Sequence, residues 1–264
     1  MTHGDTDGLQ LTQYDEDYFV RLQHCGRYTR VDSRTYFLGT LRRWLAGKAK
    51  LIDVGCGDGF YTLHLAKGKQ QSVGMDISMA ALKRANRDLG CTIFTLGAAE
   101  ALPFHDCSFD AMLALDVVEH LQRPDRFLEE ACRVLAPKGR LVISTPNPAS
   151  IGARTCGSDW FAWRDSSHIG IHPWTEWRSA LRQAGFIILR DGTDGPWDFP
   201  YRVPVPALLQ RLALVPLIML TRRFIGTLPW ALGENYVALV ERPVVERSGP
   251  ARIAQLIDNG LVSI

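Results

Sequence analysis

Four residues, Leu51-Ile52-Asp53-Val54, form an apolar run that stops abruptly at Gly55-Cys56-Gly57-Asp58-Gly59. A short apolar run ending in glycines is the pattern of a buried strand entering a tight turn. The glycines permit backbone conformations closed to other residues, and they let a ligand approach the chain without meeting a side chain. Phe60 to Ala66 follows as a predicted helix. The same alternation continues downstream. Ser72 to Ile77 reads as a second strand and Met79 to Leu89 as a second helix. Thr92 to Leu96 and Phe109 to Leu115 read as the third and fourth strands. Pro124 to Val134 reads as a helix, with Asp125 and Glu129 toward its start and Arg133 toward its end, as the helix dipole favours. Gly139 to Ser144, after a turn at Pro137-Lys138-Gly139, is the fifth strand. Strands alternating with helices predict a doubly wound α/β sheet.

The flanks are less regular. Residues 1–13 are polar and expected to be flexible. Between Tyr14 and Leu45 apolar residues recur at helical spacing, which predicts two helices with a break near Gly26. A helix over Thr175 to Ala184 ends at Gly185. Phe186 to Leu189 and Asn235 to Val240 read as two more strands. The long connection between them, residues 191–234, is an insertion, and residues 243–264 form a tail. The core domain is thus expected over residues 14–242.

The sequence has 264 residues, of which 46% are hydrophobic and 22% charged, so a full core is expected. A formal net charge of +2 gives no strong attraction to nucleic acid. The six cysteines contain no C-x-x-C pair, so zinc and redox spacings are absent and no metal is expected. The first residues lack the apolar segment of a secretory signal, which favours a cytoplasmic setting.

The glycine turn has an acidic partner. Asp76 closes the second predicted strand, where a carboxylate can accept hydrogen bonds from ribose hydroxyls. A dinucleotide site uses G-x-G-x-x-G, with a pyrophosphate on the following helix. Here the spacing is G-x-G-x-G followed by Phe60-Tyr61, which leaves less room for a pyrophosphate. A nucleoside carrying an amino acid fits better.

Leu51-Ile-Asp-Val-Gly-Cys-Gly-Asp-Gly59 resembles the first motif of the class I S-adenosylmethionine-dependent methyltransferases. Val73-Gly-Met-Asp-Ile-Ser78 is similar to the second motif. Ala99-Glu-Ala-Leu-Pro-Phe104, Ser108-Phe-Asp110, Asp116-Val-Val-Glu-His120 and Arg133-Val-Leu-Ala-Pro-Lys-Gly139 complete the likeness in the family's chain order. It is close over residues 51–147 and looser to Gly185. The resemblance implies a Rossmann-like, mostly parallel seven-stranded sheet with helices on both faces and the last strand antiparallel. It implies S-adenosylmethionine as cofactor. Asp53 would face the methionine amino group, and Gly55, Cys56 and Gly57 would form the backbone floor. Asp76 and Ile77 would hold ribose and adenine, Ala99 would offer a backbone N–H to adenine, and Leu115 would lie near the methionine end. Tyr14, Tyr18 and Phe19 resemble an aromatic helix that lids the cofactor in relatives, so residues 14–48 are expected to form a helical lid. The chain departs from many relatives in having Ala98 where they carry an acid; Glu100 is the nearby substitute.

Methyl transfer from a sulfonium needs alignment and exclusion of water, and a base only if the acceptor must lose a proton. His120, His168 and His172 are the candidates. His120 follows the fourth strand, and the other two sit in Arg164-Asp-Ser-Ser-His168-Ile-Gly-Ile-His172 after the fifth, at the sheet edge where ligands bind. Each has an ordinary alternative as a loop histidine bonded to backbone. Oxygen is the preferred acceptor atom because of these histidines. The apolar stretch within residues 207–224 reads first as plain core and next as a lid over a lipophilic small-molecule acceptor, with a peripheral membrane contact and a homodimer surface as further readings. It is too short to span a membrane. Two other classes stay in view: a non-catalytic cofactor-binding scaffold, against which the intact Asp53, glycine turn and Asp76 weigh, and a nicotinamide oxidoreductase, against which the glycine spacing and the lack of a Tyr-x-x-x-Lys pair weigh.

Overall fold

The computed structural model describes Tyr14 and residues 31–66, 71–87, 93–195, 201–210, 212–214, 216, 227–228 and 232–244. Their elements run in the order α1 (Val31–Trp44), β1 (Lys50–Val54), α2 (Phe60–Leu65), β2 (Gln71–Asp76), α3 (Met79–Arg87), β3 (Ile93–Leu96), β4 (Phe109–Leu115), α4 (Pro124–Val134), β5 (Leu135–Pro146), α5 (Ile151–Cys156), α6 (Phe161–Arg164), α7 (Trp174–Gln183), β6 (Ile187–Thr193) and β7 (Asn235–Glu241). The strands form one seven-stranded sheet in the order β3-β2-β1-β4-β5-β7-β6. Strands β1 to β5 pair in parallel, and β7 lies antiparallel between β5 and β6. The expected architecture, with its antiparallel last strand, is the one observed.

The strand sequences explain the layers. Central strands are buried on both faces, so β1 and β4 are nearly continuous apolar runs. Alternate residues still divide between two cores. Ile52, Met112, Ala114, Ile143, Tyr236 and Val240 pack on one face with Phe127, Leu128 and Val134 of α4 and Trp177 and Leu181 of α7. Leu51, Ala111, Leu113, Val142 and Val237 pack on the other with Phe37, Leu38 and Leu41 of α1. This is the sandwich of helices, sheet and helices expected of the fold.

Helix α4 shows how local sequence sets an element. Pro124 occupies the first turn, Asp125 sits at the positive end and Arg133 at the negative end. Phe127, Leu128, Ala131 and Val134 recur at helical spacing and are the buried ones. Helix α7 stops before Gly185, whose φ of 87° only glycine adopts at little cost.

Two strands exceed their predicted lengths. Strand β6 continues through Arg190 and Asp191 to Thr193. It is a sheet edge, exposed on much of its length, so its sequence carries polar residues that hide the strand; Arg178 Nε lies 2.9 Å from the Asp191 carboxylate in an ion pair. Strand β5 takes in the Pro137-Lys138-Gly139 turn, with a register shift opposite Phe109 and Ala111. Lys138, at a φ of 61°, donates its amide to the Arg242 carbonyl and Arg242 donates back to that of Gly139. Hydrogen bonding to the segment after β7 therefore carries β5 across a turn.

The first expected helix, with Tyr18, lies outside the described residues, as do residues 217–226. Among the described residues of the insertion, Leu208, Leu209 and Leu212 are exposed, while Tyr201 is buried. No described helix is long and apolar enough to cross a membrane.

Candidate active site

The strand order reverses between β1 and β4, because β1 is flanked by β2 on one side and β4 on the other. In such sheets the crevice at this point, beyond the carboxyl ends of the strands, is where ligands sit. The glycine turn closes β1 there. Gly55 and Cys56 both donate their amides to the Met75 carbonyl, at 2.7 and 3.0 Å, which ties the turn to β2. Gly55 has a φ of 68°, and a Cβ on it would lie 2.3 Å from Val117 Cγ2. Gly57 has a φ of 54°, and a Cβ there would meet nothing within 4 Å. The first glycine is required by packing from below and the second leaves open floor above.

Two buried carboxylates flank that floor. Asp53 accepts from Thr62 Oγ1 at 2.6 Å, and burial pushes its carboxyl up to about 7. Asp76 accepts from the amides of Gly57 at 2.9 Å and Ser78 at 2.8 Å. Burial raises its carboxyl nonetheless, outweighing those two donors. Two carboxylates at adjacent strand ends, with bare backbone between them, suit a ligand that carries both an ammonium group and vicinal hydroxyls. The Cys56 thiol is pushed up by burial and packs beneath, its Sγ 3.0 Å from where a Cβ on Gly74 would lie. Ile77 follows Asp76 and is partly exposed, Ala99 is buried and Leu115 ends β4 partly exposed. These residues all sit at the carboxyl edge.

Side chains hold the surrounding loops. Arg34 of α1 makes a two-pronged ion pair with Asp58 of the turn, at 2.6 and 3.0 Å, and lies 4.2 Å over the Phe60 ring. Arg133 of α4 donates to Glu130, to Asp106 and to the carbonyls of Leu102 and Phe104, which fixes the loop containing Ala99.

The acceptor side begins where β4 ends. Asp116 takes a φ of 56°, a costly conformation for a residue with a side chain, and is held by its amide on the Ser144 carbonyl and by Ser144 Oγ on its carboxylate. That turn sends Val117 under Gly55 and Glu119 and His120 toward the loop after β5. The Glu119 carbonyl accepts from the amides of Ile169 and Gly170, at 3.0 and 2.9 Å, and so docks the histidine loop. One donor atom from each of Glu119, His120 and His168 lies within 4.8 Å of the others. The rings of His120 and His168 are 4.7 Å apart, with His168 almost wholly buried. His168 Nδ1 lies 2.8 Å from the Ala162 carbonyl, and His120 Nδ1 lies 3.1 Å from that of Ser167. A carbonyl only accepts, so both Nδ1 atoms carry a proton; in the neutral ring Nε2 keeps a lone pair, and Nε2 of His168 lies 3.7 Å from Asp165 Oδ2, where a protonated ring would form an ion pair. Burial, reinforced by His168, pulls His120 down to about 4. Burial would raise the Asp165 carboxyl, but the Ser167 hydroxyl and amide hold it below its usual range.

Tyr14 joins the two sides. Its carbonyl accepts from Ser78 Oγ at 2.5 Å, and its ring meets that of His120 edge-on at 5.7 Å. Burial lifts its phenol to about 12.

His172 lies apart. It is half-exposed and pairs at 2.9 Å with Glu176 of α7, four residues further along the chain. The structure brings His120 and His168 together and leaves His172 outside. Glu119, Asp165 and Ser167 were not among the residues singled out from the sequence. Glu119 left a trace there as the neighbour of His120, and Asp165 and Ser167 as members of the segment that carries His168; the meeting of Glu119 with His168 depends on the loop after β5.

Fold and site together define a nucleoside-binding α/β protein built to hold an amino-acid-bearing nucleoside at a switch point. The comparisons give the family. Residues 52–143 match the family model described as a methyltransferase domain. The chain is 35% identical over 117 residues to the 27-O-demethylrifamycin SV methyltransferase of Amycolatopsis mediterranei, covering 39% of this chain and 42% of that protein. It is 31% identical over 146 residues to the mitochondrial ubiquinone biosynthesis O-methyltransferase of Schizosaccharomyces pombe, covering 52% of each. A solved S-adenosylmethionine-dependent methyltransferase of Thermotoga maritima superposes with a TM-score of 0.60 at 19% identity, over 85% of this chain and 96% of that one. The match over residues 52–143 and the shared fold support a class I S-adenosylmethionine-dependent methyltransferase, and S-adenosylmethionine is the cofactor that the matched domain and the fold imply. The matches span only about half the length of the curated relatives. The open space over Gly57 and the two buried strand-end carboxylates fit that cofactor.

Proposed function

We propose that the chain transfers the methyl group of S-adenosylmethionine to an oxygen of a small, lipophilic acceptor. The observation that carries this reading is the meeting, in one crevice, of the floor between Asp53 and Asp76 with the histidine pair His120 and His168. Bound there, S-adenosylmethionine supplies a methyl group on a sulfonium that is already a good leaving group. Asp53 takes the amino end, Gly55, Cys56 and Gly57 the backbone floor, and Asp76 and Ile77 the ribose and adenine side. Ala99 closes the adenine side and Leu115 the methionine end. Tyr18 stays a cofactor-binding candidate on the sequence resemblance alone, since it lies outside the described residues. His120 and His168 face the acceptor, and His172, just before α7, is left out of the site.

Relatives named for methylation at oxygen, of a rifamycin and in ubiquinone biosynthesis, support the acceptor atom and its apolar character. Leu208, Leu209 and Leu212 of the insertion suit such an acceptor. The same stretch is where the two further partners suggested by the sequence, a membrane surface and a second copy of the chain, would be met. A cytoplasmic enzyme, working free or against a membrane, is the setting we assign.

The test is calorimetric titration of Asp76→Ala with S-adenosylmethionine. Two hydrogen bonds to a charged acceptor, at about 1.5–3 kcal/mol each, predict a loss of at least ~100-fold in affinity. Unchanged affinity would remove Asp76 from the site and the reading with it.

A further inference from the structure

The group at the end of β4 has the composition of a cation site. We infer that Glu119, His120 and His168 bind a divalent transition-metal cation of the zinc type beside the cofactor floor.

The argument starts from the donor atoms. One carboxylate and two imidazoles, each with a donor atom within 4.8 Å of the other two, can converge on a single ion. Two nitrogens and one oxygen form a set that zinc and its first-row neighbours accept, with a fourth position left for a substrate or water. The sequence hides the set, because Glu119 and His120 are adjacent while His168 arrives from another loop.

The surroundings supply what a donor set alone lacks. Ligating histidines characteristically donate their second ring N–H to a carbonyl or carboxylate, which fixes ring and tautomer. Both histidines do this: His168 to the Ala162 carbonyl and His120 to the Ser167 carbonyl. In the neutral rings the Nε2 lone pairs are then the metal donors, with Asp165 Oδ2 3.7 Å from Nε2 of His168. Ser167 is held in turn, its hydroxyl donating to Asp165 Oδ1 at 2.5 Å. The two amides on the Glu119 carbonyl lock the histidine loop to the residue that supplies the carboxylate. Glu119 is fully buried, and a divalent cation held with two neutral imidazoles would offset the cost of its charge there. Asp116, in its unfavourable backbone conformation, is the device that turns Glu119 and His120 into this position.

The use of the cation rests on the proposed methyl transfer. An acceptor hydroxyl reaching the open position becomes more acidic. Its proton leaves to water, an oxygen pair forms the O–CH3 bond, and the S–CH3 bond breaks with its pair returning to sulfur. Tyr14 lies between the two sites, with its carbonyl on Ser78 Oγ and its ring against His120.

Chelator-treated, full-length protein titrated with zinc decides the matter, with metal content measured after gel filtration and S-adenosylmethionine affinity measured separately. The wild type is expected to take up one zinc per chain. Glu119→Gln and His168→Gln should each weaken uptake by about 100-fold, the upper end of what losing even an outer partner of a metal site does. His172→Ala, which removes the surface pair with Glu176, should bind zinc as the wild type does. No stoichiometric uptake by the wild type overturns the site, and this holds even if a variant fails to fold. Unchanged uptake in both Glu119→Gln and His168→Gln overturns it too, as does uptake lost in His172→Ala. Zinc binding without S-adenosylmethionine binding would leave the cation site standing and sink the proposed methyl transfer.

Discussion

The two sides of the crevice are built by different means. On the cofactor side, backbone does the work. The glycine turn is pinned by amides on the Met75 carbonyl, and Asp76 accepts amides from Gly57 and Ser78, all from segments within 20 residues or so of each other. On the acceptor side, side chains reach across the chain. His120 meets the loop at Ser167, and Glu234, just before β7, gathers Ser150, Trp160 and Tyr201. The first construction holds one ligand in a fixed pose; the second allows the acceptor pocket to be rebuilt without disturbing the floor. If the contrast is real, damage on each side should stay on that side.

The largest effect is expected at Gly55. Alanine there would need a φ of 68° and would bring its Cβ to 2.3 Å from Val117 Cγ2, on a stiff, branched side chain. The strained backbone costs about 1–2 kcal/mol and the overpacking about 1–3 kcal/mol. Gly55→Ala should therefore lose ~100-fold or more in S-adenosylmethionine affinity, together with several degrees of thermal midpoint. An affinity near that of the wild type would mean that the floor is more plastic than its hydrogen bonds suggest.

Glu234 is the matching probe on the other side. One carboxylate oxygen accepts from the Ser150 hydroxyl and Trp160 Nε1, and the other from the Tyr201 hydroxyl and the Gly152 amide. In Glu234→Gln the new NH2 replaces one of those oxygens. A hydroxyl can turn and accept from it, but an N–H cannot. Whichever way the amide points, Trp160 Nε1 or the Gly152 amide is left buried without an acceptor, at a cost of about 1–3 kcal/mol. The expected outcome is a lower thermal midpoint and weaker acceptor turnover, with cofactor affinity within ~3-fold of wild type. A large loss of cofactor affinity would break the division between the two sides.

The same division explains what could be read in advance. The glycine turn, Asp53 and Asp76 were legible because the physical requirement is local: a strand end, a tight turn, a carboxylate at the next strand end. The parallel core was legible because strands buried on both faces must be apolar along their length. The edge strand β6 was cut short at Leu189, since exposure lets Arg190 and Asp191 occupy it. Glu119, Ser167 and Asp165 were missed because their meaning comes from a fold-dependent meeting across 47 residues, which no spacing in the sequence records. His172 looked equivalent to His168, and only the start of α7 separates them by carrying one to the surface beside Glu176.

The smallest expected effect is a pH dependence confined to the cofactor side. Burial places the Asp53 carboxyl at about 7 in the cofactor-free protein, against about 3.9 in an unfolded chain. A raised carboxyl means that the folded state holds a proton which the unfolded state releases. Its contribution to stability is therefore fully present below about pH 4 and is lost as pH rises through about 7. Cofactor binding should run the opposite way, because an ammonium group is best met by the ionised carboxylate. Affinity for S-adenosylmethionine should strengthen between about pH 6 and 8, with proton release on binding that varies with the ionisation of the buffer. Asp53→Asn removes the titrating group and keeps its size, so its thermal midpoint should fall less over this range and its weaker affinity should change less with pH. The pair of measurements is a thermal midpoint series from pH 5 to 8 and calorimetric titrations in two buffers. Equal slopes for the two proteins would show that Asp53 stays ionised in the folded chain, and that the charge facing the cofactor's amino end is present before the cofactor arrives.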